Sequence, residues 1–209
     1  MILGLLVPLA IARTPAPKHA APVKHATAQA KASTPEKAVV TVRSSDLSFL
    51  PQSALEFHSS ATLGAFEGSG PFAGHIDVGA LKGELDVPTA SLTTGSGPRD
   101  ARLLSYCLEA PKFSEITFRA TSMTGDVAAL RSGSGAGSVT LTGPLTIRDV
   151  TRAVSVPASF RWDGGELHMS GRYDLLWSDF GVPDPSIILS TLDPAMYVTF
   201  DIVAGKAAP

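Results

Sequence analysis

The sequence predicts an all-β domain, either an antiparallel β-barrel or a two-sheet sandwich of about eight short strands. Three observations carry this. Apolar and polar residues alternate with a period of two along most of the chain beyond residue 38. The stretches between these runs are rich in Gly, Pro, Asp and Ser, and helical spacing is sustained only around residues 100–108. A period of two sends successive side chains to opposite faces, so each run is a half-buried strand with one dry face. Pattern alone leaves barrel and sandwich both open; a barrel of about eight strands is either filled by its own side chains or holds one small ligand.

From the N-terminus, Ile2 to Ala12 form an apolar run too short to span a bilayer, closing on Ala10-Ile11-Ala12. That A-x-A pattern suits a signal peptidase, so residues 1–12 read as a signal peptide and the protein as periplasmic or secreted. No Cys sits near the end of the run to carry a lipid anchor. Residues 13–38 are Ala, Pro, Lys, His, Thr and Ser, a composition that cannot bury enough apolar surface to offset its ordering entropy. They read as an extended linker in which His19 and His25 are solvated.

The domain runs over 39–204, with 205–209 as a tail. Its strands are expected at AVVTVR (38–43), ALEFHS (54–59), GHIDV (74–78), GELDVP (83–88), EITFRAT (115–121), SVTLTGPLTI (138–147), AVSVPASF (153–160), ELHMSGRYDL (166–175) and MYVTFDIV (196–203). Gly68-Ser69-Gly70-Pro71, Ser132-Gly133-Ser134-Gly135 and Asp163-Gly164-Gly165 punctuate them as turns. A short helix interrupts the pattern. Asp100 is placed to cap it, Leu103, Leu104, Cys107 and Leu108 fall on one face, and Pro111 ends it. In an all-β chain such a helix most simply covers one open end. Arg99 and Arg102 then stand at that rim, either as structural tethers or as contacts for a ligand headgroup.

Composition narrows the function. The 209 residues are 44% apolar and 17% charged with a net charge of −2. There is no basic face or Lys/Arg run, hence no electrostatic ground for binding nucleic acid. Low charge together with positive mean hydropathy leaves room for more apolar surface than a core needs, as an apolar cavity would use. Cofactor and metal chemistry find little support. His58, His75 and His168 lie on the polar phases of their strands without spaced Cys or acidic partners. The lone Cys107 falls on the buried helix face and reads as an inert thiol. No Gly-x-Ser-x-Gly elbow or phosphate loop occurs, and Asp179, Asp184 and Asp193 sit in a Pro-broken loop as turn caps. An enzyme is not expected.

Several motifs, in order, carry a resemblance. SLTTG (91–95), RDARL (99–103), PKFSEITF (111–118), TGPLTIRDVTRAVSVPASF (142–160) and SDFGV (178–182) together resemble the YceI-like family across residues 42–204. The resemblance implies a lipocalin-like antiparallel barrel with a helix closing one end, and binding of polyisoprenoid or similar amphiphilic lipids, isoprenoid quinones included. Two departures fall where a ligand is touched. The family's histidine after the first-strand Phe is absent near Ala61 and Thr62, and Tyr106-Cys107-Leu108 replaces a Phe-rich stretch.

On this reading an apolar tail is lined by Phe57, Leu63, Phe66, Phe72, Phe118, Leu141 and Trp177, with Arg99 and Arg102 serving a headgroup. Each of those aromatics would equally serve as core packing. The expected function is non-catalytic carriage or sequestration of the lipid. The alternative is an envelope scaffold or stress-response module whose barrel is filled by its own side chains and which acts through a protein partner. An exposed strand edge would allow a homodimer.

Overall fold

The computed structural model describes residues 45–206 with the exception of residue 189. The expected strand at 38–43, the leader at 1–12, the linker at 13–38 and the end of the tail lie outside the described residues. The strands are β1 (Asp46–Phe49), β2 (Ala54–Ala61), β3 (Gly64–Gly70), β4 (Ala73–Asp77), β5 (Lys82–Pro88), β6 (Glu115–Ala120), β7 (Ser122–Gly125), β8 (Ala136–Ile147), β9 (Val150–Asp163), β10 (Glu166–Leu176) and β11 (Leu192–Gly205). The helices are α1 (Gly97–Arg102), continued by a π-helical turn at Leu103–Cys107, and α2 (Val127–Ser132).

These strands form an eight-stave closed antiparallel barrel. β1 and β2 make one stave, interrupted where Ser53 N donates to Leu50 O, and β3 and β4 make the next. β6 and β7 share a stave against β8. Closure falls to β11. One edge takes β10 along its length; the other takes β2 and then β1, through Ser48↔Gly205 and Phe49↔Ala204. A sandwich would leave two free sheet edges, so this pairing decides for the barrel.

Alternation does what the sequence implied. Val139, Leu141, Val154, Val156, Ala158 and Phe160 point inward and are buried, while the residues between them face water. Four elements were not expected, the first being β1 at Asp46–Phe49, beyond the strand expected at 38–43. β3 reads as turn because three of its seven residues are glycine. β7 is short, and α2 lies in what looked like a plain hairpin.

α2 closes the end of the barrel that carries the β4–β5 and β9–β10 turns, called here the lower end. Leu130 enters the core fully buried, Trp162 Nε1 donates to its carbonyl at 3.1 Å, and Gly133 ends the helix in the left-handed region at φ +71°. At the opposite, upper end stand the β2–β3 and β8–β9 turns, the 89–114 connection and the 177–191 loop. α1 begins earlier than the sequence suggested, with Ser96 rather than Asp100 at its N-cap and Pro98 inside its first turn. Proline's fixed φ is already helical there, which moves the start upstream.

Candidate functional site

Inward-facing residues from every stave do not fill the barrel. They enclose a cavity of about 230 Å³ whose accessible wall carries no polar atom. Met123, Met169 and Ile202 are among the residues at its deep end, and Leu103, Pro185 and Leu192 reach it from the upper end. Below it, Leu130, Leu167 and Phe160 are buried in the lower core. The upper core, around Phe57, Val87, Leu92, Cys107 and Leu108, forms its collar. Such a space binds by removing apolar area from water and offers a ligand no internal ion pair.

A strap of polar contacts holds the upper end together. In the π-helical turn Leu108 N donates to Leu103 O at 2.9 Å, and the wider turn lets Cys107 and Leu108 bury while Tyr106 stays out. Burial pushes the Cys107 thiol up from its ordinary value. Asp100 turns back to accept from Thr93 Oγ1 at 2.7 Å and from Thr94 N and Oγ1 at 2.6 Å each. The Thr94 hydroxyl, first among these donors, holds its carboxyl below the usual range. Arg102 crosses to the 177–191 loop, donating from Nε to Pro185 O at 2.9 Å and from Nη2 to Ser186 O at 3.0 Å.

Arg148 is the second cross-piece. It occupies the β8–β9 turn at φ +57°, in the left-handed region that costs a non-glycine residue. Its Nη1 donates to Gly181 O at 2.6 Å and reaches Cys107 O at 3.4 Å, and its Nη2 lies 3.2 Å from Glu109 Oε2. One guanidinium thus joins the π-helical turn, Glu109 two residues beyond it and the 177–191 loop. Sequence reasoning passed over it, although it sits in the quoted TIRDV stretch; an Arg at a two-residue hairpin tip, where Gly or Asn is usual, was the available signal.

The residues expected to bind a ligand divide. Phe57, Phe66, Phe118, Leu141 and Trp177 line the cavity, and Trp177 Nε1 also donates to Asp193 O at 3.0 Å. Leu63 does not: it occupies the tight turn between β2 and β3, 72% exposed, because that turn carries its side chain past the rim. Phe72 lies in the break between β3 and β4, outside the cavity, edge-on to Phe49 at 5.7 Å. Arg102 is committed to loop carbonyls, and Arg99 stays in solvent with Nη2 on Thr94 O at 3.2 Å. Arg102 therefore acts as a tether here, one of the two roles the sequence had offered, whereas Arg99 bonds only within its own loop.

Elsewhere, Asp184 Oδ1 accepts from Ser186 N and Asp193 Oδ1 from Ala195 N, the turn caps their loop setting suggested. Ser186 also lowers the Asp184 carboxyl through its hydroxyl. His58 stacks on Tyr197 at 4.6 Å outside the barrel, and His168 Nδ1 lies 3.3 Å from Arg161. Among the described residues no three His, Cys, Asp or Glu side chains converge as a metal site, and no helix is long and apolar enough to cross a membrane.

Comparison with known proteins matches this geometry to relatives. A family model described as YceI-like domain matches residues 29–204. A UPF0312 protein of Pseudomonas syringae pv. tomato is 29% identical over 134 residues, 61% of this chain and 65% of that protein. A UPF0312 protein of Pseudomonas putida strain F1 is 31% identical over 123 residues, 54% and 59% of the two chains. The chain thus spans less than two thirds of the length of the curated relatives it matches. Among solved structures, a polyisoprenoid binding domain from Saccharophagus degradans, implicated in plant cell wall breakdown, superposes with a TM-score of 0.65 at 16% identity over 79% of this chain and 100% of that one. Burkholderia cenocepacia BcnA gives 0.59 at 19% identity over 72% and 95%. These two likenesses establish the fold.

Proposed function

Because the chain belongs to the YceI-like domain family, we propose that it binds an isoprenoid-like amphiphile inside the barrel and carries or sequesters it without catalysis. The observation that carries the proposal is the cavity of about 230 Å³ with a wholly apolar wall. Burying a chain there yields about 0.8 kcal/mol per CH₂, so affinity needs no specific polar contact. The solved relative named as a polyisoprenoid binding domain supports the same ligand class. A barrel serving only as a scaffold would close over its own side chains, as the lower end does around Leu130 and Leu167, and would keep no such void. The proposed setting is the periplasm or the cell exterior, on the strength of the apolar run and A-x-A pattern of residues 2–12.

The test is chemical. The full chain is purified without detergent, extracted with organic solvent and examined by mass spectrometry for co-purifying lipid. A stoichiometric isoprenoid or quinone supports carriage. Protein that arrives empty and also takes up no fluorescent isoprenoid probe overturns it and leaves the scaffold reading.

A further inference from the structure

We infer that this barrel accepts only a short, uncharged apolar ligand or chain end, about two isoprene units long, and that rings seated on glycines of the barrel wall set that limit. The inference rests on the lipid-binding reading above and specifies its ligand class. The cavity, about 230 Å³, is roughly half as large again as an engineered void of about 150 Å³ that admits the six carbons of benzene. In proportion it takes about nine carbons, close to the ten or so of two isoprene units.

The space exists because bulky side chains lie along the wall. A Cβ built on Gly68 would stand 2.1 Å from Phe57 Cζ, and one on Gly171 2.5 Å from Phe200 Cζ. One on Gly74 would stand 2.6 Å from Phe49 Cε2, and one on Gly70 2.6 Å from Leu92 Cδ2. Each large group therefore rests against bare backbone, and all four of them border the cavity. At Gly70 a larger residue meets Leu92 alone, which must move, and the lumen is the open direction; at Gly68, Gly74 and Gly171 it would also strike the Thr93, Glu84 and Pro157 carbonyl oxygens at 2.5, 2.0 and 2.5 Å, so those seats are closed to any side chain.

Depth is limited separately, since Leu130 and Leu167 are fully buried below the deep end and a longer chain would have to displace them. Charge is limited as well. The accessible wall has no polar atom, and Arg102 and Arg148 at the upper end already serve Pro185, Ser186 and Gly181 carbonyls. A buried anionic head would be left without a partner, which is strongly unfavourable.

Binding of prenol, geraniol, farnesol and geranylgeraniol to the full chain, read by displacement of a fluorescent probe, tests the limit. The expected result is a gain of about tenfold or more from one isoprene unit to two, and under about threefold for each unit added after that. A continued gain of tenfold per unit to geranylgeraniol overturns the limit and leaves the carrier reading intact. Binding of none of the four overturns both.

Gly70→Ala tests the glycine seats. Its added methyl meets only the mobile end of Leu92, whose Cα stays 3.5 Å away, so the fold should tolerate it. Geraniol should bind about fivefold or more weakly at an unchanged melting midpoint. Phe57→Leu, which frees the space over Gly68, should instead extend the gain in affinity as far as farnesol. Wild-type length dependence in both variants overturns the role of the seats.

Discussion

Replacing Arg148 by Met should loosen the whole upper end of the barrel, and the contacts set the size of the effect. The side chain is 13% exposed and gives up a 2.6 Å bond to Gly181 O, a weaker 3.4 Å approach to Cys107 O and a 3.2 Å ion pair with Glu109. A hydrogen bond from a charged donor is worth about 1.5–3 kcal/mol, and an ion pair with a partly exposed partner under about 1 kcal/mol. Met keeps most of the packing against neighbours while abandoning the carbonyls, so the expected loss is about 2–4 kcal/mol. For a domain of this size that is a fall in Tm of roughly 4–16 °C. Urea unfolding of wild type, Arg148→Met and Arg148→Lys measures it, with Lys intermediate because it keeps the charge and loses the fork. A loss under about 1 kcal/mol for Met, at unchanged m-value, would refute the view that this guanidinium ties helix to loop.

Arg102→Ala removes the two bonds to Pro185 O and Ser186 O; cleavage in the 177–191 loop by a nonspecific protease should accelerate several-fold while the melting midpoint moves by only a few degrees. Cys107 is buried with its thiol pushed up by desolvation, so a thiol reagent at pH 8 should label it at the rate of unfolding, and rapid native-state labelling would contradict its placement. Asp100 is held below its ordinary value of 3.8 by the Thr94 hydroxyl, the Thr94 amide and the Thr93 hydroxyl. A carboxylate depressed in the folded state contributes stability above its unfolded pKa and loses it as pH falls through the folded value, so the contribution should fade from about pH 4 downward. Asp100→Asn should lower the urea midpoint at pH 7 and show a smaller further fall on going to pH 3; parallel pH profiles would exclude the assignment.

Strands with a full side-chain rhythm were legible from sequence, because alternation is itself the physical record of a wall with one dry face. Val139 and Leu141 in one expected strand and Val154, Val156, Ala158 and Phe160 in the other are buried in alternation as the pattern required, although β9 begins at Val150 rather than at residue 153. β3 was not legible, since Gly64, Gly68 and Gly70 carry no side chain to show which face is inside. Two of those glycines sit beneath Phe57 and Leu92, so the residues that hid the strand also shape the cavity. α2 was masked by the Gly and Ser that follow it, and only Leu130 and Trp162 brought together in space reveal it as a plug.

At the site, hydrophobicity identified Phe57, Phe66, Phe118, Leu141 and Trp177 but could not separate them from Leu63, whose fate depends on a tight turn. Nor could sequence tell that Arg102 would be taken by carbonyls more than 80 residues away. Contacts of that separation exist only once the staves have met.

The manner of closure has a consequence for biosynthesis. Ser53 and Val203, 150 residues apart, exchange hydrogen bonds across the seam where β11 meets the first stave. Until β11 has left the ribosome the earlier staves form an open, curling ribbon with two unsatisfied margins, and pairings so distant in sequence form slowly. Nearly the whole domain must therefore be made before any of it can lock. A nascent chain in that condition keeps apolar strand faces open to solvent and so invites the chaperones that hold chains before they fold.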